Sequence, residues 1–200
     1  MARELGVGII GCGNISTTYF SLAPLFRGLN VVACADINMN AAQLRAEEYG
    51  VKAQTIDELL ANDEVDIVVN LTIPDAHYPV SKRILEAGKH VLCEKPLGLN
   101  ATETEAMFDC ASRHDRLLIE AVWGRWHPRF ARMVEVVASG TIGAIEHIET
   151  AFTFTSEMTD NYRLNPAMGG GALLDVGCYQ AHAWVALTAG ASELEISELS

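Results

Sequence analysis

Three groups of residues in this 200-residue sequence have types and spacings that do chemistry. The first is Gly11-Cys12-Gly13-Asn14-Ile15-Ser16, a G-x-G-x-x-S turn that follows an apolar run and opens a helix. Gly11 permits the tight turn, Gly13 lets a pyrophosphate approach the backbone, and Ser16 replaces the third glycine with a side chain small enough for close helix–strand packing. The amides that start the helix, around Asn14 and Ile15, then meet the phosphate charge. Asp36 stands 25 residues after Gly11, at the end of the second apolar run, where a carboxylate accepts hydrogen bonds from an adenosine ribose. Neither Ile37 nor Asn38 is an arginine that would receive a 2′-phosphate. The pattern therefore favours NAD over NADP.

The second group, Glu94-Lys95-Pro96, ends another apolar run. Ligands of open parallel sheets bind outside the carboxyl ends of the strands. A lysine there can donate hydrogen bonds to a substrate hydroxyl and favour its alkoxide, whereas elsewhere it reads as an ordinary loop lysine. Adjacent strand side chains point to opposite faces, so Glu94 and Lys95 need not pair with each other. The third group is Asp175, Tyr179 and His182, at i, i+4 and i+7 of an otherwise apolar helical stretch. Three polar groups on one stripe of such a helix require partners or a cavity. His182 reads as a second substrate contact or, equally well, as a packed, hydrogen-bonded histidine.

The elements that must position these groups can be read from the apolar periodicity. Leu5 to Ile10, Val31 to Ala35, Val65 to Leu71, Val91 to Cys93 and Leu117 to Ala121 are apolar runs without alternation, as strands covered on both faces should be. A short strand fits Val51 to Gln54. Helical patterns lie between, at about 15–27, 40–48, 56–62, 77–87 and 101–114. Thr55 with Glu58, and Asn100 with Glu103, look like N-terminal caps, and Gly50 and Gly88 fall where helices should stop. Strict succession of strand and helix predicts an α/β unit, a doubly wound parallel sheet over residues 1–121. Residues 122–200 read as a partial α+β domain. Its expected elements are a helix Pro128 to Ala138, a long strand Ile145 to Phe154, a polar loop Ser156 to Met168, a helix Ala172 to Thr188 after three glycines, and a strand Leu194 to Ile196.

Half the residues are apolar and the net charge is −12, which provides a core and no basic footprint for nucleic acid or an anionic membrane. The five cysteines, Cys12, Cys34, Cys93, Cys110 and Cys178, have no C-x-x-C spacing and read as small reduced core residues of a cytoplasmic protein. No apolar run approaches membrane-span length, and Glu4 and the nearby glycines argue against a signal peptide. His127 and His147 lack partners at ligand spacing, so no metal site is expected, and there is no G-x-S-x-G elbow.

The glycine turn, Ile73-Pro74 with His77 after it, Gly88-Lys89-His90, Glu94-Lys95-Pro96 and the segment Gly169 to Tyr179 occur in an order that resembles the Gfo/Idh/MocA family of NAD(P)-dependent oxidoreductases. Ile119 to Arg125 and Leu173 to Tyr179 are most similar to its dihydrodiol/xylose dehydrogenase and glucose–fructose oxidoreductase branch. The resemblance implies a Rossmann domain and hydride transfer at a carbinol carbon of a sugar, cyclitol or dihydrodiol. It implies that Tyr179 is the acid/base, that Asp175 orients substrate and catalytic residue, and that Trp123 and Arg125 are pocket residues, which read equally well as an interdomain packing pair. His77 matches a structural or cofactor-adjacent position, and Glu94 one on the nicotinamide side or a loop anchor. A phenol is a poor acid/base at neutral pH, and Lys95 is expected to lower its pKa. The resemblance further implies a homo-oligomer formed through the open face of the C-terminal sheet, as is common in the family. Relatives are also longer, so a truncated C-terminal domain is expected here. The alternative is a non-catalytic nucleotide-binding or regulatory protein, or an inactive remnant of such an enzyme.

Overall fold

Continuous apolar runs need cover on both faces, and the fold supplies it. The computed structural model describes residues 3–155 and 161–189. Six strands, β1 (Leu5–Ile10), β2 (Leu29–Ala35), β3 (Lys52–Gln54), β4 (Ile67–Asn70), β5 (His90–Cys93) and β6 (Leu118–Glu120), form one sheet in the order β3-β2-β1-β4-β5-β6. Every pairing is parallel. The helices between them are α1 (Ser16–Leu22), α2 (Met39–Tyr49), α3 (Ile56–Ala61), α4 (Pro74–Glu86) and α5 (Ala101–Arg113). Successive residues of β1 enter opposite cores: Ile10 packs with Val68, Ile84 and Met107, whereas Val7 and Ile9 pack with Phe20, Cys34 and Val69. This is the period-two signature of a sheet buried on both sides.

Gln54, Ala35, Ile10, Asn70, Cys93 and Glu120 are successive register partners across the six strands, a single row at the carboxyl edge. Gly11, Asp36 and Glu94 each follow a member of this row, so the register alone brings three distant candidate residues to one edge. The crossovers diverge between β1 and β4, opening a crevice there.

Local signals explain the helix limits. Thr55 and Glu58 form a reciprocal capping box, the Asn100 side chain accepts from the Glu103 amide, and Gly50 ends α2 in the left-handed conformation. Two limits differ from expectation through proline. Helix α1 gives way after Leu22 to a 3-10 turn, Ala23–Leu25, because Pro24 has no amide to continue the ladder. Helix α4 begins at Pro74, three residues early, because the first turn has no use for the missing N–H.

Beyond β6 come a 3-10 turn (Trp123–Trp126), helix α6 (Pro128–Ala138) and, after a loop, a π turn (Leu173–Gly177) running into α7 (Cys178–Leu187). The expected strand Ile145 to Phe154 is not formed: no strand lies beside it among the described residues, and without a partner there is no ladder. The sheet through which copies were expected to associate is therefore absent from the described residues. The expected strand Leu194 to Ile196 lies outside them. All five cysteines are free, four of them buried. No helix among the described residues is long and apolar enough to cross a membrane.

Candidate active site

The glycine turn follows β1 directly. Gly11 has φ +101 and donates to Ala35 O at 2.9 Å. The Asp36 carboxylate braces the turn, accepting from the Cys12 amide at 2.7 Å and from the Asn38 amide at 2.8 Å. Each of its oxygens retains a lone pair for a ribose hydroxyl. Ser16 is buried and its hydroxyl donates to Gly13 O at 2.6 Å, while Gly13, Asn14 and Ile15 are exposed. A Cβ built on Gly13 would meet nothing within 4 Å, so the open space above the turn accommodates a pyrophosphate. The Ser16, Thr17 and Thr18 amides donate to the carbonyls of Gly13, Asn14 and Ile15, so the amides that face an external acceptor are those of the turn itself, Gly13, Asn14 and Ile15. The turn fits a dinucleotide. Arg45, on α2, reaches the same turn from behind with Nε 3.3 Å from Ser16 Oγ and pairs with Glu48.

The loop after β5 is anchored on three sides. Tyr19 of α1 donates to Glu94 Oε1 at 2.7 Å, and the Lys95 amide donates to Glu94 Oε2. Glu94 thus serves as a loop anchor in this structure. The buried His77 sets one ring nitrogen 2.6 Å from Pro96 O and the other 2.9 Å from Thr72 O, joining the loops after β5 and β4. Asn70 completes the support, donating to His77 O and Ser81 Oγ and accepting from the Thr72 amide and hydroxyl. The Lys95–Pro96 peptide bond is cis.

Lys95 leaves this loop toward the C-terminal part. Its ammonium bonds the carboxylate of Asp175 at 2.8 Å and also its main-chain carbonyl. Arg163 Nε holds the other carboxylate oxygen at 3.1 Å. Both members of the Lys95–Asp175 pair are largely buried, with side chains 14% and 13% exposed. Burial alone would raise the Asp175 pKa, but the hydrogen bond and charge of Lys95, with the charge of Arg163, leave it below the ordinary carboxylate value.

The three glycines explain how Arg163 arrives. The Gly170 and Gly171 amides donate to Asn165 O and Arg163 O, folding the turn 161–168 onto the start of the π turn. A Cβ on Gly170 would lie 2.4 Å from Tyr162 O and 2.7 Å from the carbonyls of Arg163 and Asn165. Backbone cannot rotate away, so Gly170→Ala is expected to displace the turn and draw Arg163 off Asp175, destabilising the fold by about 1–3 kcal/mol. Urea denaturation checks this, and an unchanged midpoint would contradict it.

Tyr179 follows one turn after Asp175, with Lys95 Nζ 5.6 Å from its ring centroid. The expectation that Lys95 lowers its pKa is not met. The ammonium is engaged by Asp175, and burial, with the charges of Glu94 and Cys178, pushes the phenol up to about 12, the Trp123 indole offsetting only part. The ring leans on Trp123 (6.1 Å between centroids) and Phe152 (5.3 Å). These aromatics, with Arg125, Phe130 and His182, line a cavity of about 280 Å³ beside Tyr179. His182 Nε2 lies 2.9 Å from Glu120 Oε2. A wider groove, about 520 Å³, runs between α4 and α5 past Tyr78, Lys82, Asp109 and Arg113, away from all these residues.

The structure thus brings Lys95, Asp175, Tyr179, Trp123, Arg125 and His182 together, with Glu94 and its anchor Tyr19 alongside. Gly11, Gly13, Asn14, Ile15, Ser16 and Asp36 stand at the same sheet edge, on the β1 side. Sequence reasoning missed Arg163, Glu120, Tyr19 and Phe152. No spacing marks Arg163 within a polar loop. Glu120 lies within the expected strand Leu117 to Ala121, and a carboxylate in an otherwise apolar run was the signal available. Among the described residues no three His, Cys, Asp or Glu side chains stand together as metal ligands would.

Comparison with known proteins gives the site a context. Residues 5–122 match the model of the oxidoreductase family with an NAD-binding Rossmann fold, and residues 130–195 match the GFO/IDH/MocA C-terminal domain. The chain is 36% identical over 178 residues to trans-1,2-dihydrobenzene-1,2-diol dehydrogenase of Mus musculus, covering 86% of this chain and 53% of that protein. It is 34% identical over 182 residues to D-xylose 1-dehydrogenase (NADP(+)) 2 of Haloferax volcanii, covering 88% and 55%. A solved 3-ketoreductase from Actinomadura kijaniata, in complex with NADP and TDP-benzene, superposes with a TM-score of 0.85 at 30% identity, covering 92% of this chain and 57% of that one. The chain spans about half the length of these relatives. With the parallel sheet, the glycine turn at its carboxyl edge and both family models matched in order, the chain belongs to the GFO/IDH/MocA family of oxidoreductases.

Proposed function

We propose that this protein transfers a hydride between a nicotinamide dinucleotide and a carbinol carbon of a sugar, cyclitol or dihydrodiol. The observation that carries the reading is the convergence of Lys95, Asp175 and Tyr179 beyond the carboxyl end of β5, with Tyr179 lining an aromatic cavity. When bound, the nicotinamide supplies the hydride acceptor or donor. Gly11, Gly13, Asn14, Ile15 and Ser16 cradle its pyrophosphate, Asp36 receives the adenosine ribose, and Glu94 holds the loop that borders the nicotinamide. Lys95, oriented by Asp175, stabilises negative charge on the substrate oxygen. Tyr179 passes the proton to or from that oxygen. Trp123, Arg125 and His182 border the substrate. The relatives' named substrates, xylose and a dihydrobenzene diol, share a ring with hydroxyls at its edge. Such a ring can lay its C–H face on Trp123 and Phe152 and turn a hydroxyl toward the phenol. A side-chain cluster of this kind supports an enzyme over a protein that only binds nucleotide.

A phenol with a pKa pushed up to about 12 is protonated at neutral pH, so the site donates a proton to a carbonyl more readily than it accepts one from an alcohol. Oxidation should therefore speed up by about tenfold per pH unit from 7 to 10, while reduction stays nearly flat there. The test is a panel of sugars, cyclitols and diols followed by NADH absorbance in both directions, with Tyr179→Phe as control. Wild-type rates in that variant, or oxidation indifferent to pH, would overturn the assignment.

For the cofactor we favour NAD, because a 2′-phosphate would approach the Asp36 carboxylate while the Arg45 charge is engaged by Glu48. Asp36→Ala should weaken NAD binding about 10–100-fold, the worth of a hydrogen bond to a charged group. It should leave NADP binding unchanged or tighter. Fluorescence titration with both dinucleotides checks this, and an unaltered NAD affinity would remove Asp36 from the ribose site.

A further inference from the structure

Glu120 is the last residue of β6 and belongs to the register row at the carboxyl edge. Its two carboxylate oxygens are used in different directions. Oε1 accepts the Leu97 amide at 2.9 Å, in the loop that carries Lys95. Oε2 meets His182 Nε2 at 2.9 Å, on the helix that carries Tyr179 one turn earlier. A second tie, Lys95 to Asp175, reaches the same helical segment one turn before Tyr179. Tyr179 is therefore bracketed along its helix by two links to the lysine loop, one direct and one through a single carboxylate. The Glu120 and His182 side chains are 20% and 28% exposed, so water competes only partly for the contact.

We propose that Glu120 is a positioning residue for proton transfer: by holding the Leu97 amide and His182 together it fixes the Tyr179 hydroxyl relative to Lys95. This rests on the reading of Tyr179 as the proton-transferring group. The Asp175 link holds the segment before Tyr179, and the Gln180 side chain donates to Thr150 O at 3.2 Å. The Glu120 link alone ties the turn after Tyr179 to both the sheet and the lysine loop. Displacing a reacting group by about 1 Å lowers a rate on the order of 100-fold, so a residue with no contact to substrate can carry a large kinetic effect.

The test compares Glu120→Ala, Glu120→Gln and His182→Ala in the full chain. Glutamine keeps an oxygen for the Leu97 amide and presents its NH2 to His182, which can accept through Nε2 in its other tautomer. Glu120→Ala should lower kcat about 10–100-fold with dinucleotide affinity and KM within a few-fold, and Glu120→Gln should restore kcat to near wild type. A second readout needs no turnover. In protein labelled at the tyrosine ring carbons, the NMR signal of Tyr179, assigned through Tyr179→Phe, should shift in Glu120→Ala and His182→Ala and stay in place in Glu120→Gln. An unmoved signal in both alanine variants overturns the proposal, as does a glutamine variant as slow as alanine, which would make the negative charge the operative feature. A lower melting temperature with full kcat also overturns it, reducing Glu120 to a structural residue. If the signal responds as stated but the wild-type protein turns over no substrate, the placement stands and the reading of Tyr179 falls. Should Glu120→Ala fail to fold, Glu120→Gln and His182→Ala carry the same comparison.

Discussion

Replacing Lys95 by Met is expected to reduce kcat about 10²–10⁴-fold while leaving dinucleotide affinity within about twofold. Methionine keeps the stem and removes the ammonium that lies between Asp175 and the Tyr179 ring. Two consequences separate this from simple misfolding. The glycine turn is built on β1 and braced by Asp36, with no contribution from the Lys95 ammonium, so the nucleotide site should survive. Asp175 would lose one cation but keep Arg163 at 3.1 Å. Stripping a buried carboxylate of its only partner costs about 3–5 kcal/mol, and the remaining arginine places the expected loss below that range. Steady-state kinetics, dinucleotide fluorescence titration and thermal denaturation check the three statements. Turnover at the wild-type rate would remove Lys95 from the chemistry.

Gly11→Ala should be the most damaging single change to the nucleotide site. Gly11 holds φ +101, and a Cβ there would lie 2.6 Å from Leu71 C and O and 2.9 Å from the Thr72 amide nitrogen. All three are backbone atoms of the loop after β4, so no rotamer relieves the contact. The cost combines the strained dihedral with overpacking, about 2–6 kcal/mol together. It also pushes the turn off the loop it packs against and with it the Cys12 amide off Asp36. Dinucleotide affinity should fall more than about 100-fold, and the urea midpoint should drop in the same protein. Gly13→Ala is the informative companion. Its Cβ meets nothing within 4 Å, so the fold should keep its stability, yet the methyl would stand where the pyrophosphate approaches. A Gly13→Ala protein with unaltered stability and weakened dinucleotide binding would locate the phosphate over the turn; unaltered binding would place it elsewhere.

Much of the fold was legible because its signals are local. Apolar runs without alternation marked strands buried on both faces, and Thr55, Asn100, Gly50 and Gly88 marked helix limits at short range. Once the strands are parallel and in register, Gly11, Asp36 and Glu94 reach one edge without further information. The misses have a common physical origin. Ile145 to Phe154 has strand composition, but a strand exists only with a partner, and none lies beside it among the described residues. The helix expected from Ala172 begins with a π turn, which shifts the i, i+4 spacing on which the Asp175–Tyr179 stripe was reasoned.

For the site, the sequence by itself determined which residue types were present and which strand ends would present them. The glycine turn and the lysine loop follow from short-range pattern. Only the tertiary structure decided what those groups do to one another. It set Arg163 on Asp175, turned Glu120 into a link between the lysine loop and α7, and raised the Tyr179 phenol pKa by burial where the sequence suggested an ammonium would lower it. Periodicity is written in neighbouring residues, whereas desolvation and charge depend on whatever the fold packs within a few ångströms, from residues far away along the chain.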